Sequence, residues 1–591
     1  MSGDDSNAHD IKKSFDNAEK IGVIGSPSST SGFSIDILGT AANKRLVGNL
    51  SIFNYFQDGR DHYALGQITE IEMQNVWTQD ATMRGIIRQK GRVDPITERQ
   101  DVHLAKMMIS SVFAKDGDGS FDQSMLGTVP STGTPIKLLS EDIMNSLLSG
   151  HQHELFYLGK AYGTEIKMPT WFKHFNDPAI DPGGIGEAYH IGIFGKTGSG
   201  KSRLALMMML AYARHKNMSL LVLDPQHQFS TEFQSEHIRS LLGQKLNRTA
   251  EVISLHNLVL SGYELFKRIL IMSNFFRRWC SIIHEDNQLR AADEIENILR
   301  RQGPEIEPWN VHRRESFNRV WTALLNDNQV QRRIYSTQDL ILRMVNAMGA
   351  ANPEEVYDQW RRIANLFSYE GKQNAKIISK LIGELGQNDS GGKILVIDLS
   401  EINAPADIYW TDEMKLIVIA QFLKSLAEHA EKEYRDKEAL LNTLVILDEA
   451  HRLAPKEDIE NDTLADVKSI LIDAVRTTRK YGLGWMFISQ TLSSLDREII
   501  NQLRIYVFGF GLAWGVERQA LREIIGGAEE AIKLYQSFRD PQSSLKEREY
   551  PFMSIGPISP LSFSGTPLFF TSLKYPSEFL KINFNIENSQ H

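Results

Sequence analysis

The sequence predicts an α/β protein. Its expected parts are a parallel sheet covered by helices, a small β-barrel before it, a helical insertion within it and a C-terminal arm. Two observations predict the sheet and the barrel. Near-continuous apolar runs recur at Tyr189–Phe194, Ser219–Leu223, Lys393–Ile397, Thr443–Leu447, Leu483–Ile488 and Ile505–Gly509, with helical stretches between them. Runs of this kind mark parallel strands buried on both faces. Before residue 175 the pattern is different: short β-prone runs parted by turn residues, as in a small barrel.

The core is organised around Gly195-Lys196-Thr197-Gly198-Ser199-Gly200-Lys201-Ser202. This fits G-x-x-x-x-G-K-[ST], with the apolar run Tyr189–Phe194 before it and the helix-forming run Arg203–Arg214 after it. Strand, glycine loop and helix together make a phosphate cradle: backbone N–H groups and the helix N-terminus face the anion, Lys201 reaches the outer phosphates and Ser202 holds Mg²⁺. Gly195, Gly198 and Gly200 let the backbone wrap a triphosphate where a Cβ would collide. The loop residues Gly195 to Ser202 and the following Arg203 are therefore the expected ATP-binding set.

The other apolar runs end in polar residues, and ligands of parallel sheets sit beyond the carboxyl ends of the strands. Asp224, Asp398, Asp448, Glu449 and Gln490 all fall there. ATP hydrolysis needs a carboxylate near Mg²⁺ and a group to orient or deprotonate the attacking water. Adjacent acids at a strand end point in different directions. Asp448 is thus expected at the metal with Ser202, and Glu449 at the water. Arg476 and Arg479 lie three apart near the end of a helix expected over Leu464–Tyr481 and stopped by Gly482. They serve either as an arginine finger for a neighbouring subunit's ATP or simply as cations suited to a helix C-terminus. Gln490 is either a γ-phosphate sensor or a satisfied polar residue at a strand end.

Composition narrows the class. A chain of 591 residues is long for one core. Hydrophobic content of 42% with 24% charged residues suits a soluble globular protein. No apolar stretch approaches the ~20 residues of a bilayer span, so no membrane partner is expected. The opening Met-Ser-Gly-Asp-Asp-Ser has neither a basic stretch nor an apolar core. A single Cys280 excludes an internal disulfide and a cysteine zinc site, and a cytoplasmic location is expected. A net charge of −9 argues against a protein coated in nucleic acid and leaves room for DNA in a narrow basic channel.

Taken in order, residues 1–17 read as a polar, disordered tail. Residues 18–175 read as the barrel, with runs Ile21–Ile24, Phe33–Leu38, Tyr63–Ile71 and Leu155–Gly159 and turn signals at Asp58-Gly59, Asp116-Gly117 and Asp118-Gly119. The barrel is either a docking platform or an oligomerisation collar. The Pro-rich run from Met168 to Gly184 reads as a linker. The ATPase core takes residues 185–231 and 389–549. Residues 232–388 form the helical insertion, with helix starts at Thr337 and Asn352 and basic–aromatic clusters at 275–279, 313–314, 332–333 and 360–362. Residues 550–591, rich in Pro and Phe, read as an extended arm on a neighbouring subunit, or as an edge strand with a loose end.

The order Gly195–Ser202, Leu223-Asp-Pro225, Ile446-Leu-Asp-Glu-Ala-His451, Arg479-Lys-Tyr-Gly482 and Ile488-Ser-Gln490 resembles the HerA branch of the HerA/FtsK ATPases. The resemblance implies a RecA-like P-loop core behind a HAS-type barrel, and a hexameric ring that translocates double-stranded DNA through its channel. It implies ATP and Mg²⁺, and an effector on the barrel: a nuclease in end resection, or a nuclease or Sir2-like NAD hydrolase in antiviral defence. It also implies a C-terminal brace. One departure stands out. Where the family commonly has Asp-Pro-His-Gly-Glu, this chain reads Asp224-Pro-Gln-His-Gln228. Two functions follow: an ATP-driven DNA translocase or helicase, or a ring-shaped scaffold that regulates a barrel-bound effector with translocation secondary. A small-molecule kinase fits poorly, given the length, the barrel and the paired acids.

Overall fold

In a computed structural model, six strands between Lys20 and Leu138 close into a barrel. The structure describes residues 5–94, 97, 99–117, 119–301, 310–372, 374–386, 391–543, 547–562 and 565–586. Residues 1–4 of the expected tail, Asp118 of the expected turns and residues 587–591 of the expected arm lie outside this set. Two compact units are formed, one of Met1–His215, Glu449–Glu457 and Gly484–His591, the other of Lys216–Asp448 and Asp458–Leu483.

The barrel runs Gly32–Ile37, Lys20–Ile24, Pro135–Leu138, Leu50–Gln57, Arg60–Gln74, Val102–Lys115 and back to Gly32–Ile37, where Gly32 to Asp36 pair with Met108 to Leu104. Closure removes the exposed edges that a small sheet would otherwise present. Ile21, Phe33, Ile35, Phe53, Ile68 and Met107 fill it. The Asp58-Gly59 signal is a two-residue hairpin turn, with φ of +51° and +79° and Gln57 opposite Arg60. At the bulge beside Leu65, a Cβ on Gly66 would lie 2.2 Å from the Met108 carbonyl oxygen, so a side chain cannot be accommodated. The segment read as a disordered tail contains the helix Asp5–Asn17. Ile11 and Phe15 are buried, Phe15 sits edge-on to Tyr63 at 5.7 Å, and Lys137 Nζ donates to the Phe15 carbonyl at 2.6 Å.

The same unit holds a mixed sheet in the order Leu483–Ser489, His190–Phe194, Ile505–Gly509, Pro551–Ile555, Leu568–Ser572, Leu155–Ala161 and Lys167–Trp171. The first three strands are parallel, as expected. The other four are antiparallel additions. Three expectations change here. Leu155–Gly159 belongs to this sheet and not to the barrel, the run from Met168 supplies its last strand instead of a linker, and the expected arm supplies two inner strands. Phe552, Met553, Phe569 and Phe570 are buried, which accounts for the apolar content of that tail. Pro551 fits because it opens a strand, and Pro169, in the run from Met168, fits because it lies on the edge strand.

The second unit carries four parallel strands in the order Ala250–Ser254, Ile394–Asp398, Ser219–Asp224 and Thr443–Leu447. Ala250–Ser254 falls inside the segment read as a helical insertion, between the short helix Glu236–Ser240 and a run of helices that starts with Tyr263–Met272. Those helices pack around Phe266, Phe275, Phe317 and Trp360. The basic–aromatic clusters resolve into core rings flanked by solvated cations. Arg278 covers Trp279 at 4.4 Å, Arg314 covers Tyr357 at 4.3 Å and pairs with Glu354, and Arg361 and Arg362 pair with Asp358. Asn352 caps the helix Pro353–Ala364 through the Glu354 N–H, with Pro353 in its first turn. Thr337 stands at the N-cap of Gln338–Ala350.

Candidate active site

The phosphate loop has the backbone its sequence demands. Gly195, Gly198 and Gly200 adopt φ of +152°, +82° and +89°, which side-chain-bearing residues rarely tolerate. A Cβ on Gly195 would also lie 2.8 Å from Ser199 Oγ and 3.2 Å from the Gly509 main chain. Gly200 caps the helix Lys201–Ala213, in which every residue from Leu204 to Ala213 is buried. The loop is therefore anchored on one side by the strand His190–Phe194 and on the other by a helix sunk in the core. Lys201 Nζ donates to the Lys196 carbonyl at 3.1 Å, and Lys196 N–H donates to Phe510 O at 2.9 Å. The exposed stretch Lys196 to Gly198, a helix N-terminus, an ammonium and the half-exposed Ser202 make a donor set suited to a polyphosphate and its cation.

Glu449 is tied to this loop through one side chain. Gln490 Nε2 donates to Glu449 Oε1 at 2.7 Å, and Thr197 Oγ1 donates to Gln490 Oε1 at 3.1 Å. A continuous hydrogen-bonded path thus runs from the loop to the carboxylate. Glu449 is 8% exposed and has φ of +51°. A side-chain-bearing residue in that region costs on the order of 1–3 kcal/mol and persists only where its surroundings hold it. His451 supplies part of the hold, with Nδ1 3.4 Å from Glu449 Oε2 and 3.2 Å from Ser489 Oγ. Ser489 Oγ donates its own hydrogen to the Thr491 carbonyl at 2.6 Å, so His451 Nδ1 carries the proton between them. Burial lowers the His451 pKa; Glu449 pulls it up, and Arg452 and Lys201 push it further down. Burial thus favours the neutral form of the ring that stands beside the carboxylate.

The second unit holds the remaining acids, each at the carboxyl end of a parallel strand. Asp224, fully buried, accepts from Ser230 N–H and Oγ, both at 2.7 Å. Asp398 lies in register with it and accepts from Asn403 at 2.9 Å and Ser400 N–H at 3.1 Å, while His227 Nδ1 approaches at 2.7 Å. Burial raises the Asp398 pKa, but the bonds from Asn403, Ser400 and His227 outweigh it and hold the carboxyl below its ordinary range. Because Leu223 pairs with Leu447, the buried Asp448 falls level with Asp224. The loop that departs from the HerA pattern bends at His227, with φ of +63°. Its imidazole contact with Asp398 compensates for a conformation that glycine takes without cost. Arg476 ends the helix Asp462–Thr477 and Arg479 opens a separate short turn, Arg479–Tyr481, closed by Gly482 at φ +74°. Both arginines are exposed on this unit.

Sequence reasoning named Lys201, Glu449 and Gln490, and the structure joins Glu449 and Gln490 to the loop. It left His451 and Ser489 without roles. Ser489 next to Gln490, at a strand end beside Phe194, is a signal that points to Ser489 but not to His451.

Residues 188–426 match the family model described as "Helicase HerA, central domain". Two curated relatives are each named "DNA double-strand break repair helicase HerA". The protein from Sulfolobus acidocaldarius is 23% identical over 386 residues, covering 65% of this chain and 64% of its own. That from Sulfurisphaera tokodaii is 22% identical over 422 residues, covering 71% and 69%. The chain thus spans just under two thirds of the first relative's length. Similar solved structures include VirB4 of Thermoanaerobacter pseudethanolicus, at 14% identity and TM-score 0.37, covering 71% of this chain and 97% of that one. Another is the genome packaging NTPase B204 from Sulfolobus turreted icosahedral virus 2 in complex with AMPPCP, at 10% identity and TM-score 0.26, covering 65% and 98%.

Proposed function

Because residues 188–426 match the HerA central-domain model and two HerA helicases are similar to this chain, we propose that it belongs to the HerA family and hydrolyses Mg-ATP to move double-stranded DNA through a ring of identical subunits. The observation that carries this reading is the path Thr197–Gln490–Glu449, which couples the phosphate loop to a buried, strained carboxylate. Lys201 holds the outer phosphates. Glu449 accepts the proton of the attacking water while Gln490 aligns it with the loop, so that both ends of the reacting group are positioned together. Ser202 and Asp448 are the residues to hold Mg²⁺, which supplies neutralisation of phosphate charge when bound. Arg476 and Arg479 act on a neighbouring subunit's ATP, where a cation stabilises charge that develops only in the transition state. Six subunits, a DNA channel and a nuclease or Sir2-like effector on the barrel complete the proposal, in double-strand break repair or antiphage defence. Among the described residues no helix is long and apolar enough to cross a membrane, and the proposed setting is the cytoplasm.

A second reading, a nucleotide-controlled scaffold for the effector, is favoured by the barrel surface, where Phe56, Met73, Val76, Trp77 and Met125 are at least half exposed. DNA-stimulated ATPase activity tests the first reading: the wild type is stimulated by duplex DNA and Lys201→Ala is inactive. Full activity in Lys201→Ala refutes the assignment of the loop. Translocation unaffected by loss of the effector separates the first reading from the second.

A further inference from the structure

Two residues from the far end of the chain lie against the phosphate loop of the same unit. A Cβ on Gly200 would stand 2.7 Å from Tyr550 Cδ1, and one on Gly198 would stand 2.1 Å from Gln542 Nε2. The Arg203 guanidinium is 5.9 Å from the centre of the Tyr550 ring. An aromatic ring, an amide and a guanidinium are thus gathered at the rim of the loop where the helix Lys201–Ala213 begins. Tyr550 and Gln542 are anchored from behind. The Tyr550 carbonyl accepts from Ser572 N–H at 2.9 Å and leads directly into the strand Pro551–Ile555. Gln542 follows the buried Pro541, and its N–H donates to Asp540 Oδ1 at 2.9 Å. Tyr550 remains half-buried, while Gln542 and Arg203 are exposed.

Lys201 takes the outer phosphates, so the phosphate chain runs inward along the loop and its nucleoside end leaves at the rim. We propose that Tyr550, Gln542 and Arg203 form the receptor for the nucleoside half of the bound nucleotide. The Tyr550 ring stacks on the base, and the Gln542 amide and Arg203 guanidinium donate to the sugar and the innermost phosphate. This rests on the reading that the loop binds a nucleoside triphosphate. It assigns to the C-terminal segment a part in nucleotide recognition within its own subunit. A base on an aromatic platform gains about tenfold or more in affinity from the stack, and every base has a π-face, so the ring contributes affinity while the amide contributes selection.

The test compares ATP with inorganic tripolyphosphate, which has the phosphates and no nucleoside. Equilibrium binding is measured for the full chain and for Tyr550→Ala, Tyr550→Phe and Gln542→Ala. Tyr550→Ala is expected to weaken ATP about tenfold and leave tripolyphosphate unchanged. Tyr550→Phe, which keeps the ring, restores the ATP affinity. Gln542→Ala, at an exposed position that the fold does not need, weakens ATP several-fold and leaves tripolyphosphate unchanged. Equal losses for both ligands, or no loss for either, overturn the proposal. Failure of the loop reading is distinguishable: the wild type then binds neither ligand, or Lys201→Ala binds both as the wild type does.

Discussion

Gln490 makes two bonds, accepting from Thr197 and donating to Glu449. Replacing it by Ala leaves both partners in place and removes only the link between them. Gln490→Ala is therefore expected to leave ATP affinity within about threefold and to slow hydrolysis by about 10²-fold, the scale of a misplaced proton acceptor. Steady-state kinetics read the split; a rise in KM with unchanged kcat contradicts it. At this scale much was legible beforehand. Glycines at 195, 198 and 200 announce a backbone that side-chain-bearing residues rarely adopt, and adjacent acids after an apolar run announce buried carboxylates at a strand end. His451 was not legible, because its contact with Glu449 depends on a left-handed turn at an acidic residue, a conformation that sequence preferences disfavour. Gln542 and Tyr550 were not legible either, since nothing in their surroundings in the chain marks them as neighbours of a loop more than 300 residues earlier.

Elements carry their own consequences. The helix after the loop ends at Ala213, and two residues later His215 Nε2 bonds the Phe172 carbonyl. Burial, reinforced by His174 and Arg214 and opposed by that bond and by Asp181, lowers the pKa of His215 to about 4. The unfolded chain titrates at the ordinary value of about 6.5, so below that pH unfolding takes up a proton that the folded ring refuses. Stability from this group is full above pH ~6.5 and declines as pH falls toward ~4, with about 2 kcal/mol lost by pH ~5. Urea unfolding at the two pH values reads this. His215→Gln is expected to flatten the slope, and an unchanged slope in that variant removes His215 as its source. Apolar runs with polar ends located six parallel strands but not Ala250–Ser254, and the strand–loop–helix around Lys201 stood where expected. The antiparallel strands Pro551–Ile555 and Leu568–Ser572 were taken for an arm because prolines and a turn interrupt them. Their partners, Ile505–Gly509 and Leu155–Ala161, are remote in sequence. Pairings of that kind leave no local periodicity to read.

For the whole molecule, the proposed ring makes the site depend on a neighbour. Arg479 is exposed on its unit and Glu449 is held inside the other, so a trans arrangement predicts complementation. Arg479→Ala and Glu449→Gln subunits, each inactive alone, should regain a fraction of wild-type ATPase activity when mixed, because some interfaces then pair an intact Glu449 with an intact Arg479. Mixtures that stay inactive at every ratio rule out the trans finger. The barrel was foreseen as a small closed sheet, and that follows from strands too short and too evenly spaced for the core. Its extent was overread at the C-terminal side, because Leu155–Gly159 has the same composition as a barrel strand and differs only in its partner.

The most direct test of the central claim, that Glu449 activates water for a phosphate held by the Lys201 loop, is ATP hydrolysis by Glu449→Gln with ATP binding measured on the same preparation. Retained binding with hydrolysis reduced by at least about 10²-fold is the predicted result. Hydrolysis at the wild-type rate contradicts the account.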